Sequence, residues 1–129
     1  MPLKYRSLKN YKYEVTDPIF LDLDEFGIAP EKDIDLPYIA LTAKGVLTIK
    51  RGYCTDGPSG PTIDTPDFML AACAHDALYQ MMRLRYLDPV IYRQLADTML
   101  YVLCRRAGMG WFRAGYVYHL VRAFGWMSV

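Results

Sequence analysis

Apolar and polar residues alternate in short runs over the first fifty positions, then recur at helical spacing after residue 66. The segment YKYEV, 11–15, alternates like a short strand, and IFLDL, 19–23, predicts a further edge strand. Residues 38–53 (YIALTAKGVLTIKRGY) read as two β-rich runs, YIALT and VLTIK, joined by a turn at Ala43-Lys44-Gly45. Together these runs predict a small antiparallel sheet. A loop follows: CTDGPSGPTIDTP, 54–66, holds two glycines and three prolines, which dictates an irregular and stiff backbone.

Three helices are expected beyond it. Thr65-Pro66-Asp67 is a helix start, with a capping hydroxyl, a proline at the first position and an acid near the positive end. That helix should run over roughly 66–85. Asp88-Pro89 starts a second in the same way, and Gly108 ends it. A third covers about 111–124, with Gly125 as its stop. The apolar stripe Val90, Ile91, Leu95, Met99, Val102 and Leu103 is expected in the core, as are Tyr116, Leu120 and Phe124. The fold class is therefore α+β: a β-rich part over 1–53, the Gly/Pro loop over 54–65, and a helical part over 66–129. The 129 residues suit one domain.

Composition narrows the function classes. With 53% hydrophobic and 22% charged residues the chain is globular, and a net charge of +1 supplies no general attraction to nucleic acid or acidic membranes. Charge is uneven, however. Residues 14–35 carry eight acids against Lys32 alone, whereas after residue 80 there are seven arginines, no lysine, and only Asp88 and Asp97. Either the acids are solvated, or some dock on the arginines. Three cysteines with no CxxC or Cys/His spacing predict reduced thiols acting as small apolar residues. The opening MPLKYRSLKN lacks the apolar core of a signal peptide, and no apolar run is long enough to span a bilayer.

The chemistry concentrates in LAACAHDALYQ, 70–80, where a histidine and an aspartate sit in an apolar, alanine-rich helix. Both are costly to bury unpaired. His75 and Tyr79 lie four apart and share a face. Asp97 is the only acid within the apolar stripe of the second helix, with Arg93 one turn before it. If the two helices pack antiparallel, Asp97 reaches the His75 ring. A carboxylate on one imidazole nitrogen leaves the other free to act as a base. Asp76 points about 100° away from His75, toward the Gly/Pro loop, and a carboxylate with backbone carbonyls there is a hard-oxygen set suited to Ca²⁺. The alternative is structural: His75 bonded to Asp97, and Asp76 capping loop amides or pairing an arginine.

Other constellations are thinner. Ser59 in GPSGP lacks the flanking pattern of a nucleophile elbow. A histidine-aspartate metal phosphohydrolase needs more histidines than the remaining His119. Arg105-Arg106 is a slight basic patch. Trp111-Phe112 and Met81-Met82 are either core or an interfacial apolar rim.

Two resemblances add to this. The ordered set TDGPSGP, AACAHDALY, RQLAD and VRAFG resembles a family of small phage and prophage proteins of unknown function, over about residues 38–125. It implies residence in the cytoplasm of an infected host or in a phage particle, with phage structural proteins as partners. The core is also similar to phospholipase A2, especially the compact form in parvovirus capsid proteins. The matching elements are Gly52-Tyr53 with Gly57-Pro58-Ser59, then Ala71-Ala72, His75-Asp76, Tyr79, and Ala96-Asp97. That resemblance implies His75 as general base, Asp97 orienting it, Tyr79 bracing the pair, and Asp76 binding Ca²⁺ with main-chain carbonyls of Thr55, Gly57 and Ser59. Ser59 stands where the pattern has a loop glycine, and Asp56 adds a charge that could strengthen a cation site. The functions in view are a Ca²⁺-assisted, phospholipase A2-like hydrolase acting on a phospholipid or other ester, a non-catalytic phage virion or accessory protein on the same scaffold, and a hydrolase of peptidoglycan or a nucleotide.

Overall fold

Seven short strands precede three helices in a computed structural model that describes residues 5–7, 13–55 and 66–129. The strands are β1 (Tyr5–Ser7), β2 (Tyr13–Val15), β3 (Ile19–Asp22), β4 (Ile34–Asp35), β5 (Ile39–Leu41), β6 (Val46–Ile49) and β7 (Cys54–Thr55). They form two antiparallel sheets rather than one, in the orders β1-β2-β7 and β3-β6-β5-β4. The expected edge strand is β3, and the expected pair is β5–β6. The strands β1, β4 and β7 are additions to the sequence reading; β4 has two residues and β7 has two, too short for a period to register.

Alternation decides which face of the larger sheet is buried. Ile39 opposes Ile49 and Leu41 opposes Leu47 across β5–β6, and all four are buried, whereas their neighbours Ala40 and Thr48 point the other way. Ile19 and Ile34 extend the same layer from β3 and β4. The β5–β6 turn requires glycine. Gly45 has φ of 87°, and a Cβ there would lie 2.9 Å from both the Asp24 nitrogen and the Ile28 oxygen, backbone atoms that cannot step aside.

The helices are α1 (Pro66–Arg83), α2 (Pro89–Arg106) and α3 (Trp111–Phe124), the last continued by a 3₁₀ turn at Gly125–Ser128. Met69, Cys73, Ala74, Ala77, Leu78, Met81 and Met82 of α1 share one core cluster with the sheet residues. Met81 and Met82 are thus core, not rim. A second cluster, Phe68, Ala71, Leu100, Cys104, Ala114 and Val117, joins all three helices. Burial pushes the thiols of Cys73 and Cys104 up to about 12 and about 11, the former helped by the charge of Asp76, so both behave as inert apolar residues.

Two stripes expected in the core are corrected. Val90 and Ile91, in the first turn of α2, are exposed, while Met99 is buried and Leu95 and Leu103 pack on the core. On α3 the inward positions are Ala114 and Val117, with Val121 packed beside them, and Tyr116 and Phe124 face out. Residue size suggested the wrong face of α3: small residues line the contact with α2 because they permit close approach.

Of the acidic segment, Glu25 pairs with Arg106 at 2.5 Å, and that arginine also lies over the Phe26 ring. Both partners are exposed, so the pair contributes little. Asp35 pairs with Lys50 at 2.6 Å. Asp22, Asp24, Glu31 and Asp33 are on the surface. The start of α2 is capped as expected: Asp88 accepts from the Val90 amide at 2.9 Å, with proline next. Asp88→Ala should therefore cost about 1 kcal/mol, measurable as a lower urea midpoint at unchanged slope.

Candidate active site

The five residues 84–88 join α1 to α2, and the two helices pack together. His75 on α1 and Asp97 on α2 each lie about two turns from that connection, so they come level. Ala71, Ala72, Ala74 and Ala96 are buried around them, and their small side chains let the helices close. The result is direct contact: His75 Nε2 lies 2.7 Å from Asp97 Oδ1. Tyr79, one turn after His75, donates its hydroxyl to the same oxygen at 2.5 Å. The two rings stack at 4.2 Å between centroids, tilted by 37°.

The other carboxylate oxygen belongs to α3. Arg122 donates from Nη1 to Asp97 Oδ2 at 2.9 Å. Asp97 is fully buried, while the Arg122 side chain keeps 31% of its surface. Arg93 ties α2 to the same place by donating from Nη2 to the main-chain oxygens of Val121 and Arg122. A cation at the carboxyl end of α3 also suits the helix dipole. The Arg93 Nε is buried with no hydrogen-bond partner among the described residues.

The protonation pattern follows from these contacts. Burial alone would raise the Asp97 carboxyl, but hydrogen bonds from His75, Tyr79 and Arg122 outweigh it and hold the group below the usual range. Burial raises the Tyr79 hydroxyl, and its bond to Asp97 raises it further, so it stays a donor. An ionised carboxylate only accepts, so Nε2 must carry the ring proton facing it. In the neutral ring the lone pair then sits on Nδ1, which makes no hydrogen bond among the described residues. The ring is buried, with 6% of the residue exposed.

His75, Asp97 and Tyr79 are thus brought together as expected. Asp76 is half-buried on the next position of α1 and close enough to Cys73 to act on its thiol. Thr55 closes β7, paired with Tyr13. Asp56, Gly57 and Ser59 lie outside the described residues. His119 is exposed on α3, away from the buried network. Among the described residues no cluster of three or more His, Cys, Asp or Glu side chains could hold a metal ion.

The sequence reading gave Gly125 only the role of a helix stop, and assigned no role to Arg122 and no partner to Arg93. The signal was present in RQLAD and VRAFG, whose arginines turn out to meet across α2 and α3. Gly125 is needed for space: its backbone angles are ordinary, but a Cβ there would overlap the Tyr79 hydroxyl and come within 3.0 Å of Tyr79 Cε2. Tyr79 cannot swing aside while bonded to Asp97. Gly125→Ala should cost about 1–3 kcal/mol by overpacking, read from chemical unfolding, whereas Ala123→Gly in the exposed last turn should cost only about 1 kcal/mol.

No protein-family model matches the chain, and no curated protein or solved structure matches it.

Proposed function

We propose that the protein is a Ca²⁺-assisted ester hydrolase of the phospholipase A2 type, with His75 as general base. The observation that carries this reading is the short His75–Asp97 contact through Nε2, with Tyr79 on the same oxygen, which leaves Nδ1 as the basic atom. In the proposed reaction Nδ1 takes a proton from water as the water oxygen bonds to the ester carbonyl carbon. The carbon–oxygen bond to the alcohol then breaks, and the proton passes from His75 to the leaving oxygen. Asp97 holds the ring in orientation throughout and stabilises its protonated form. Tyr79 and Arg122 keep Asp97 ionised and in place.

The donor chemistry fits a hard cation: Asp76, half-buried beside His75, would hold Ca²⁺ with main-chain oxygens of Thr55, Gly57 and Ser59 and the carboxylate of Asp56. When bound, the ion supplies charge stabilisation to the ester oxygen. Asp76→Asn should abolish a calcium-induced rise in melting temperature. A wild type indifferent to calcium would overturn the cation assignment.

The decisive assay is fatty-acid release from phospholipid vesicles in the presence of calcium. Purified wild type is expected to turn over, and an inactive wild type would end the phospholipase reading. A second reading, a phage virion or accessory protein without turnover, draws on the burial of the same ring and the completeness of the bonds around Asp97.

A further inference from the structure

Helix α2 grips Arg122 twice. Asp97 accepts from its guanidinium, and Arg93, one turn earlier on the same face of α2, donates from Nη2 to its main-chain oxygen. The same Nη2 donates to the Val121 oxygen at 3.2 Å. Both carbonyls belong to the last turn of α3, where carbonyl groups run short of helical partners and the dipole attracts a cation. Arg93 is half-buried there and makes no ion pair among the described residues. Its charge therefore acts on this helix end and not on a carboxylate of its own.

The same guanidinium reaches the Tyr79 hydroxyl. Burial and Asp97 push that hydroxyl up, and Arg93 works against them through charge and hydrogen bonding, which sets the guanidinium beside the phenolic oxygen. An arginine side chain can only donate, so the oxygen turns a lone pair to Arg93 and its proton to Asp97 Oδ1. Gly125, three residues after Arg122, closes on the same ring. One side chain thus touches both neighbours of Asp97: the main chain that carries Arg122, and Tyr79.

We propose that Arg93 is a positioning residue for the His75–Asp97 pair: by fastening the end of α3 it holds Arg122 and Tyr79 on Asp97, and through Asp97 it holds the His75 ring. The consequence for turnover rests on the hydrolase reading, whereas the consequence for the ring does not. The chain has two histidines, and His119 is exposed, so its ring protons exchange freely with water. The His75 Nε2 proton is buried in a 2.7 Å contact with Asp97 and should give a single low-field ring N–H resonance, absent in His75→Gln. Arg93→Met should broaden or abolish that resonance at a temperature where circular dichroism shows the variant fully folded. Arg93→Lys should restore it, because both carbonyls are held from one nitrogen and an ammonium can donate to both. Asp88→Ala weakens the start of the same helix away from the clasp and should leave the resonance as in wild type. Turnover of phospholipid should follow the ring: kcat of Arg93→Met falls at least about tenfold with KM nearly unchanged, and Arg93→Lys recovers most of it. Should Arg93→Met not fold, Arg93→Gln keeps a polar group in that space and takes its place in every comparison. A wild type without the resonance, or a resonance unchanged in Arg93→Met, overturns the proposal. So does a loss that Asp88→Ala reproduces or that Arg93→Lys does not repair. A wild type that shows the resonance but releases no fatty acid would refute the hydrolase, and the response of the resonance to Arg93 would then decide the positioning role alone.

Discussion

Asp97→Ala is expected to lower the unfolding free energy by about 3–5 kcal/mol, the usual consequence of removing one partner from a buried charged set. Three donors depend on this carboxylate: His75 Nε2, the Tyr79 hydroxyl and Arg122 Nη1. Its removal strands a buried hydroxyl and leaves a guanidinium facing a cavity. It also disconnects three helices at one point, since the donors come from α1 and α3 and the acceptor from α2. The melting temperature should fall by on the order of 10 °C or more. Asp97→Asn keeps the volume but turns an N–H toward one of the donors, so it should fall between wild type and alanine.

The same residue makes stability depend on acid. Its carboxyl ionises more readily in the folded protein than at the ordinary value of 3.8. The folded state therefore holds its proton less tightly than the unfolded chain does. The stabilisation is fully present above that ordinary value and is lost as pH falls through the lower folded value. Urea unfolding of wild type and Asp97→Asn should accordingly differ by a constant amount near neutrality and converge below about pH 4. A difference that stayed constant down to pH 2 would mean that the charge on Asp97 contributes nothing.

His75→Gln is the second large effect, and it falls on rate. Glutamine can still donate an amide hydrogen to Asp97, so the carboxylate keeps its three donors and stability should change by no more than about 1–2 kcal/mol. It offers no basic nitrogen. Turnover should drop by roughly 10²–10⁴-fold through kcat, with KM nearly unchanged. Tyr79→Phe should lose far less, because it removes one donor from Asp97 and leaves the base. A His75→Gln enzyme that kept its rate within a few-fold would assign the chemistry to another group and leave the ring as a structural member of the core.

Local order in the sequence accounts for the elements. Pro66, Asp88-Pro89 and Gly108 marked the helix ends because caps act through neighbouring backbone amides, while the expected cap Thr65 lies outside the described residues. The β5–β6 hairpin was readable from a period of two with Gly45 in its turn. The candidate dyad was readable as well, since an acid and a histidine buried in apolar helices must find each other or be lost from water without compensation. What periodicity could not supply was which face of α3 turns inward. That depends on how closely α2 approaches, so Ala114 and Val117 went in and Tyr116 and Phe124 stayed out.

Tertiary structure alone decided the second half of the site. Arg122 on α3 and Gly125 just after it lie beyond the whole of α2 from His75, and no local rule links an arginine near residue 120 to a carboxylate on α2. Arg93 holds the end of α3 by its carbonyls, and only then does Arg122 reach Asp97 and Gly125 make room for Tyr79. Caps and periods act within a turn or two of helix, whereas the charge state of a buried carboxylate is set by every donor that the whole fold brings to it.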